Sequence, residues 1–250
     1  MRGQFKLSSA LRRCKVVSVS TSPPLHAALT DDLTALAVSP VRDPQAIFEQ
    51  VMAQWGGRGG NEDLWIFGYA SLIWRPEFEH AEERRAHVRG YHRALKMWSR
   101  INRGTPECPG LVFALLPGGS CRGMAYRVPS AQAEAVLQSL WKREMPTGVY
   151  DPKWLQCQTP GGPVSALAFT LSRRSPNYTG ELDAATYRRI MTEARGRYGT
   201  TLEYAIRTQA CLCEAGIRDA ALERLLRLAG IADKTDSAML RAMASAQACP

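Results

Sequence analysis

The 250-residue sequence has no apolar run approaching the roughly 18 residues that a membrane-spanning helix requires. Its N-terminus lacks the continuous apolar segment of a secretory signal, so a cytoplasmic protein with no membrane partner is expected. Lysine and arginine never occur more than two in succession, so the basic stripe that grips a phosphate backbone is missing. The cysteines are odd in number and scattered, at 14, 108, 121, 157, 211, 213 and 248, which argues against a disulfide framework. Cys211 and Cys213 stand one residue apart, which is not zinc-finger spacing, and no second Cys/His pair follows at ligand distance. The four histidines (His26, His80, His87, His92) add no metal pattern, since arginines flank His87 and His92. Neither metal nor cofactor is expected.

What the chain does have is an excess of positive charge, +9 formally. Arg2, Lys6, Arg12, Arg13 and Lys15 supply five of these charges within the first 30 residues, where there is no acid. The body is therefore only mildly basic, which suits an anionic small substrate as well as nucleic acid. We expect no nucleic-acid partner. Residues 1–27 read as a flexible leader with a faint likeness to a transit peptide. Asp43-Pro44 starts a short helix as N-cap and N1, with Ile47, Phe48, Val51, Met52 and Trp55 on one face and Gly56-Gly57 ending it. This divides the chain into an N-terminal extension (1–60), a main domain (61–232) and a C-terminal tail (233–250), with a last frayed helix expected in the tail.

Leu64–Phe67 is a short apolar run that ends in Gly68 and reads as a buried strand feeding a tight loop. Leu111–Leu116 and Cys121–Val128 read as two strands of a hairpin turning at Pro117-Gly118-Gly119-Ser120. Val164–Leu171 is a further strand. Helices are expected over 130–145, 183–198 (Tyr187, Ile190, Met191, Ala194 and Tyr198 on one stripe), 200–215 and 219–229. Strands interleaved with helices, without regular alternation, imply an α+β domain.

The 130–145 helix, with Ser130 as N-cap, carries Ala133, Val136, Leu137, Leu140 and Trp141 on its apolar face. The next position on that face is Glu144. Burial there would raise its pKa towards the range of a general acid or base. A structural ion pair with Arg143 explains the same residue. Phe67-Gly68-Tyr69-Ala70-Ser71-Leu72-Ile73-Trp74 carries a strand into small residues, where exposed backbone N–H groups could hold a carboxylate or an oxyanion. A plain strand end explains that segment too. It has neither dinucleotide nor P-loop glycine spacing, and Ser71 sits in no nucleophile elbow.

Phe67–Pro76 resembles the signature loop of the ChaC-type glutathione-specific γ-glutamylcyclotransferases. The order continues with Arg89-Gly90-Tyr91-His92-Arg93, Trp98-Ser99, Arg103-Gly104-Thr105-Pro106 and Pro109-Gly110-Leu111. It runs on through Leu116–Cys121, Gly123–Val128, Arg143-Glu144-Met145, Tyr150, Asn177–Gly180 and Ala215–Asp219. The resemblance covers about Asp63 to Gly230, and nothing in 1–60 matches it. It implies a mixed β-barrel flanked by helices and a cofactor-free carbon–nitrogen lyase that cyclises the γ-glutamyl group of glutathione, releasing 5-oxoproline and Cys-Gly. Glu144 would be catalytic. Ile66, Phe67, Gly68, Tyr69, Ala70, Ser71 and Leu72 would bind substrate, with Arg103, Tyr150 and Tyr178 at the Cys-Gly end. The family more usually has glycine where Ala70 stands, which matters if that position needs positive φ. A γ-glutamylamine or other γ-glutamyl cyclotransferase, and an inactive basic binding module, are the alternatives.

Overall fold

A computed structural model describes residues 42–57 and 62–230. In chain order the elements are α1 (Pro44–Gly56), β1 (Leu64–Gly68), α2 (Ser71–Trp74), β2 (Glu82–Ser99), β3 (Gly110–Val128) and α3 (Ser130–Glu144). They continue with β4 (Asp151–Thr159), β5 (Gly162–Thr170), α4 (Ala184–Glu193), β6 (Arg195–Gly196), β7 (Gly199–Thr200), α5 (Thr201–Glu214) and α6 (Ala220–Leu228). Strands β1-β3-β2-β4-β5 form a closed barrel, which the parallel pairing of β5 with β1 completes. The remaining neighbours along that order are antiparallel. This is the mixed barrel with flanking helices that the sequence implies.

Side-chain alternation along the strands separates two cores. Leu64 and Ile66 of β1, Ala114 and Leu116 of β3, and Leu167 and Phe169 of β5 join α1 and α3 in one core. Phe67, Phe113, Leu115, Ala166 and Ala168 join α4, α5 and α6 in the other. Successive side chains of a strand point to opposite faces, so a continuous apolar run is what a doubly covered strand needs. Among the described residues no helix is long and apolar enough to cross a membrane.

The expected hairpin at Pro117–Ser120 does not form. Residues 110–128 are one long strand paired along β2, with Arg89 opposite Ser120 and Tyr91 opposite Pro117. Gly118 and Gly119 (φ 98° and 71°) therefore face Gly90 (φ 85°) alone. A bulge of two residues against one bends both strands without ending the pairing, which is why turn residues here do not turn the chain. His92 Nδ1–H donates to the Gly118 carbonyl at 2.8 Å and holds the bend.

Three other expectations change. Ser130 is the first helical residue of α3, not its N-cap; Pro129 caps, and the Ser130 amide donates to Asp63 at 3.0 Å. The helix expected over 183–198 ends at Glu193, and residues 195–200 form the small β6–β7 hairpin, leaving Tyr198 exposed. The strands β2 and β4 and the single turn α2 are additional elements. A tail helix after Asp236 and the leader at 1–27 lie outside the described residues.

The helix at Asp43-Pro44 forms as read, with the Asp43 side chain accepting from the Gln45 amide at 2.9 Å. It is docked on the main domain. Trp141 Nε1–H donates to the Pro44 carbonyl at 2.7 Å, and the Phe48 and Trp141 rings meet edge-on at 5.4 Å. The last turns of α3, which end in Glu144, are thus covered from outside the barrel.

Candidate active site

At the end of β1 the chain turns sharply over the barrel. A Cβ on Gly68 would stand 3.0 Å from the Tyr126 ring and 3.1 Å from the Leu72 Cβ, so the missing side chain lets α2 fold back closely. Ala70 has φ −147°, outside the left-handed region, so alanine meets no positive-φ obstacle here. The Ile73 and Arg75 amides use the Ala70 and Ser71 carbonyls. The first amides of a helix have no intrahelical acceptor, which leaves those of Ser71 and Leu72 without one inside α2.

Two buried anchors hold this loop. The Tyr69 hydroxyl donates to the Phe169 carbonyl of β5 at 3.0 Å, and the Tyr69 carbonyl accepts from Arg93 Nη1 at 2.5 Å. Arg93 also donates through Nε and Nη2 to Asp219, at 2.9 and 2.6 Å, and Asp219 caps α6 through the Leu222 amide at 3.0 Å. A strand, a helix cap and the loop are thereby tied at one guanidinium.

Opposite the loop, α3 ends in Glu144, whose side chain is only 15% exposed. Burial raises its pKa above the usual carboxylate value; Arg143, with Nε 3.0 Å away, pulls it back, and Glu77 pushes it further up. The helix C-terminus also disfavours a negative charge. An acid held this way exchanges a proton nearer neutrality than a solvated one.

Between loop and acid lies a small cleft, partly open to solvent. It is lined by Tyr69, Ala70, Ser71 and Leu72 of the loop, Phe113 of β3, Glu144, Tyr150, Phe169 of β5 and Tyr204 of α5. Burial raises the Tyr69 and Tyr150 hydroxyls well above their ordinary value, and nearby Glu144 adds to this. Tyr204 is likewise raised by burial. All three remain neutral O–H groups near neutral pH, suited to hydrogen bonding and not to ionisation. Among the described residues no group of three or more His, Cys, Asp or Glu could hold a metal ion.

Of the residues singled out in the sequence, Glu144, Tyr69, Ala70, Ser71, Leu72 and Tyr150 line this one cleft. Ile66 and Phe67 are fully buried, one in each core, and Gly68 is the strand end that supports the loop. Arg103 stands beside the cleft, its guanidinium 4.9 Å from the centre of the Tyr204 ring and donating to the Tyr198 carbonyl. Tyr178 lies away from the lining, bridged to Met97 and packed in the core of α1 and α3. Phe113, Phe169 and Tyr204 were not anticipated. For Tyr204 a signal existed: it shares the buried stripe Thr201, Tyr204, Ala205, Thr208, Leu212 just after the Thr200–Glu203 capping box.

A family model described as ChaC-like protein matches residues 64–231. The glutathione-specific γ-glutamylcyclotransferase of Escherichia coli (strain K12) is 38% identical over 164 residues, 65% of this chain and 71% of its own. The glutathione-specific γ-glutamylcyclotransferase 1 of Mus musculus is 34% identical over 183 residues, 70% of this chain and 82% of its own. The crystal structure of a γ-glutamyl cyclotransferase specific to glutathione from yeast superposes with a TM-score of 0.62 at 20% identity. It covers 68% of this chain and 96% of its own and shows the same fold. Loop and acid both fall inside the matched segment, and the chain belongs to the ChaC-like protein family.

Proposed function

We propose that the protein is a glutathione-specific γ-glutamylcyclotransferase that converts glutathione to 5-oxoproline and Cys-Gly, with Glu144 moving the proton. The observation that carries this is the shared cleft: a largely buried carboxylate with raised pKa lines it together with residues 69–72 of the signature loop. The relatives' activity supports the same reaction.

In the reaction the substrate's α-amine attacks its own γ-carbonyl carbon. The new C–N bond closes a five-membered lactam, and the bond to the cysteinyl nitrogen breaks. Ring closure is intramolecular, so holding the chain folded supplies much of the rate through orientation. Glu144 accepts the proton that the attacking amine loses and returns it to the departing amine. Loop amides at Tyr69–Leu72 take the glutamyl carboxylate or the developing oxyanion. The Tyr150 and Tyr204 hydroxyls, neutral near neutral pH, are available around the amide. No covalent enzyme intermediate is required.

The leaving-group end is assigned to the side of Tyr204. Arg207 lies 4.2 Å over the Trp74 ring, and Trp74 meets Tyr204 edge-on at 6.2 Å, with Arg103 on the Tyr204 face. Two guanidinium groups on an aromatic platform suit a second carboxylate. This favours a peptide such as glutathione over the γ-glutamyl amide of a simple alkylamine, whose leaving group carries no carboxylate. The five described cysteines are all free thiols, which fits a cytoplasmic, reducing setting.

The test is mass-spectrometric detection of 5-oxoproline and Cys-Gly from the purified protein and glutathione, with γ-glutamyl-alanine and γ-glutamyl-ε-lysine alongside. Preferential release from glutathione is the expected result. Absence of 5-oxoproline from all three substrates would overturn the reading.

A further inference from the structure

Arg143 stands between two carboxylates and divides its guanidinium among three side chains. Nε lies 3.0 Å from Glu144 Oε1, Nη1 donates to Glu77 Oε2 at 2.9 Å, and Nη2 donates to Ser71 Oγ at 3.2 Å. Nη1 also reaches the Arg75 and Pro76 carbonyls. One side chain thus joins the end of α3 to the signature loop and to the segment after α2.

Glu77 is unusual in its backbone. Among the described residues it alone has positive φ (57°) without being glycine. That conformation is disfavoured for a residue with a Cβ, and such outliers persist where surrounding contacts over-determine them. Here the contacts are ion pairs with Arg143 and Arg75.

We infer that Glu77 is a positioning residue for the cyclisation: through Arg143 it clamps the loop against the end of α3 and prevents Arg143 from serving Glu144 alone. The inference rests on the reading of Glu144 given above. The groups facing Glu144 are Arg143 from its own helix, Glu77 from the segment after α2, Tyr69 from the loop, Tyr150 ahead of β4 and Tyr204 from α5. The tyrosines stay neutral, so the balance of charge is between Arg143 and Glu77. Arg143 draws the Glu144 pKa down and Glu77 pushes it up. Without the Glu77 charge, Glu144 becomes a weaker base paired fully to Arg143.

The experiment follows 5-oxoproline release from glutathione by the wild type, Glu77→Gln and Glu77→Ala from about pH 5 to 9. Glu77→Gln keeps an acceptor for Arg143 and loses only the charge. Its acid limb is expected at lower pH than the wild type's, with kcat reduced about tenfold and KM nearly unchanged. Glu77→Ala also frees the loop, and its kcat is expected to fall further, by up to about a hundredfold. Thermal melts report whether each variant folds. A Glu77→Gln profile that superposes on the wild type's, or a loss of rate that only tracks lost folded protein, overturns the inference. Failure of the wild type to form 5-oxoproline would instead overturn the functional reading beneath it.

Discussion

Arg93 Nη2 lies 2.6 Å from Asp219 Oδ2, with only 3% of the arginine side chain exposed. The pair does more than join β2 to α6, because Arg93 also holds the Tyr69 carbonyl. Removing one member leaves the other charge buried and unpaired, which costs about 3–5 kcal/mol. Asp219→Ala should therefore lower the chemical-denaturation midpoint strongly and loosen the loop. Hydrogen exchange of the 69–74 amides should rise in Asp219→Ala above the wild type under native conditions. Unchanged exchange and an unchanged midpoint would show that the pair carries no weight.

Glu144→Gln tests the proton-transfer role without altering shape. The variant should fold and lose activity by about 10²–10⁴-fold, the range of a removed general acid–base group. Comparable turnover would remove Glu144 from the mechanism.

The same variant should change how stability depends on pH. Glu144 has a folded-state pKa raised by burial, so between its ordinary value of 4.5 and the raised one the folded protein binds more protons than the unfolded chain. Stability then falls as pH rises through that window, and above it the cost is fully present. Glu144→Gln removes this cost. Its Tm should differ least from the wild type's below pH 4.5 and exceed it increasingly as pH rises towards neutrality. Melts across that range give the answer, and parallel curves would contradict the burial argument.

Arg207→Ala should act on binding alone if the Cys-Gly carboxylate lies on the Tyr204 side. Losing one partly exposed charge-assisted hydrogen bond is worth about 1.5 kcal/mol, or roughly tenfold in KM. The expected result is a raised KM for glutathione with kcat unchanged, and no effect on the γ-glutamyl amide of a simple alkylamine. An unaltered KM for glutathione would move the leaving group elsewhere.

Ala70→Gly restores the residue more usual in the family loop. With φ at −147° the alanine is not strained by a left-handed backbone, so the glycine brings no relief and adds unfolded-state entropy. A loss of about 0.4–1 kcal/mol in stability, with activity no higher, is expected from denaturant titration and rate measurement. A gain in stability would mean that Ala70 is strained after all.

Local chemistry explains which elements were legible. Asp43-Pro44 could be read as a helix start because the cap and the fixed proline φ act within a few residues. The same holds for α5, whose capping box is complete within Thr200–Glu203. β2 was hidden because its outward positions are charged and one inward position is Arg93, a charge that only Asp219, 126 residues away, makes tolerable. Gly118 and Gly119 looked like a turn because their φ preference is the same in a turn and in a bulge; the opposing strand decides between the two. Tyr198 fell on an apparent helical stripe, but the chain leaves the helix at Ala194 to form β6 and β7.

The sequence by itself determined the family, the barrel class and the two halves of the candidate site. The ordered motifs and the misplaced acid at Glu144 are local patterns that survive without coordinates. Only the tertiary structure decided that the halves share one cleft, that Phe113, Phe169 and Tyr204 complete it, and that Arg143 spans from Glu144 to Ser71 and Glu77. Those relations join residues distant along the chain, and barrel closure brings them together. Burial sets the proton affinity of Glu144, and burial is a property of the packed fold.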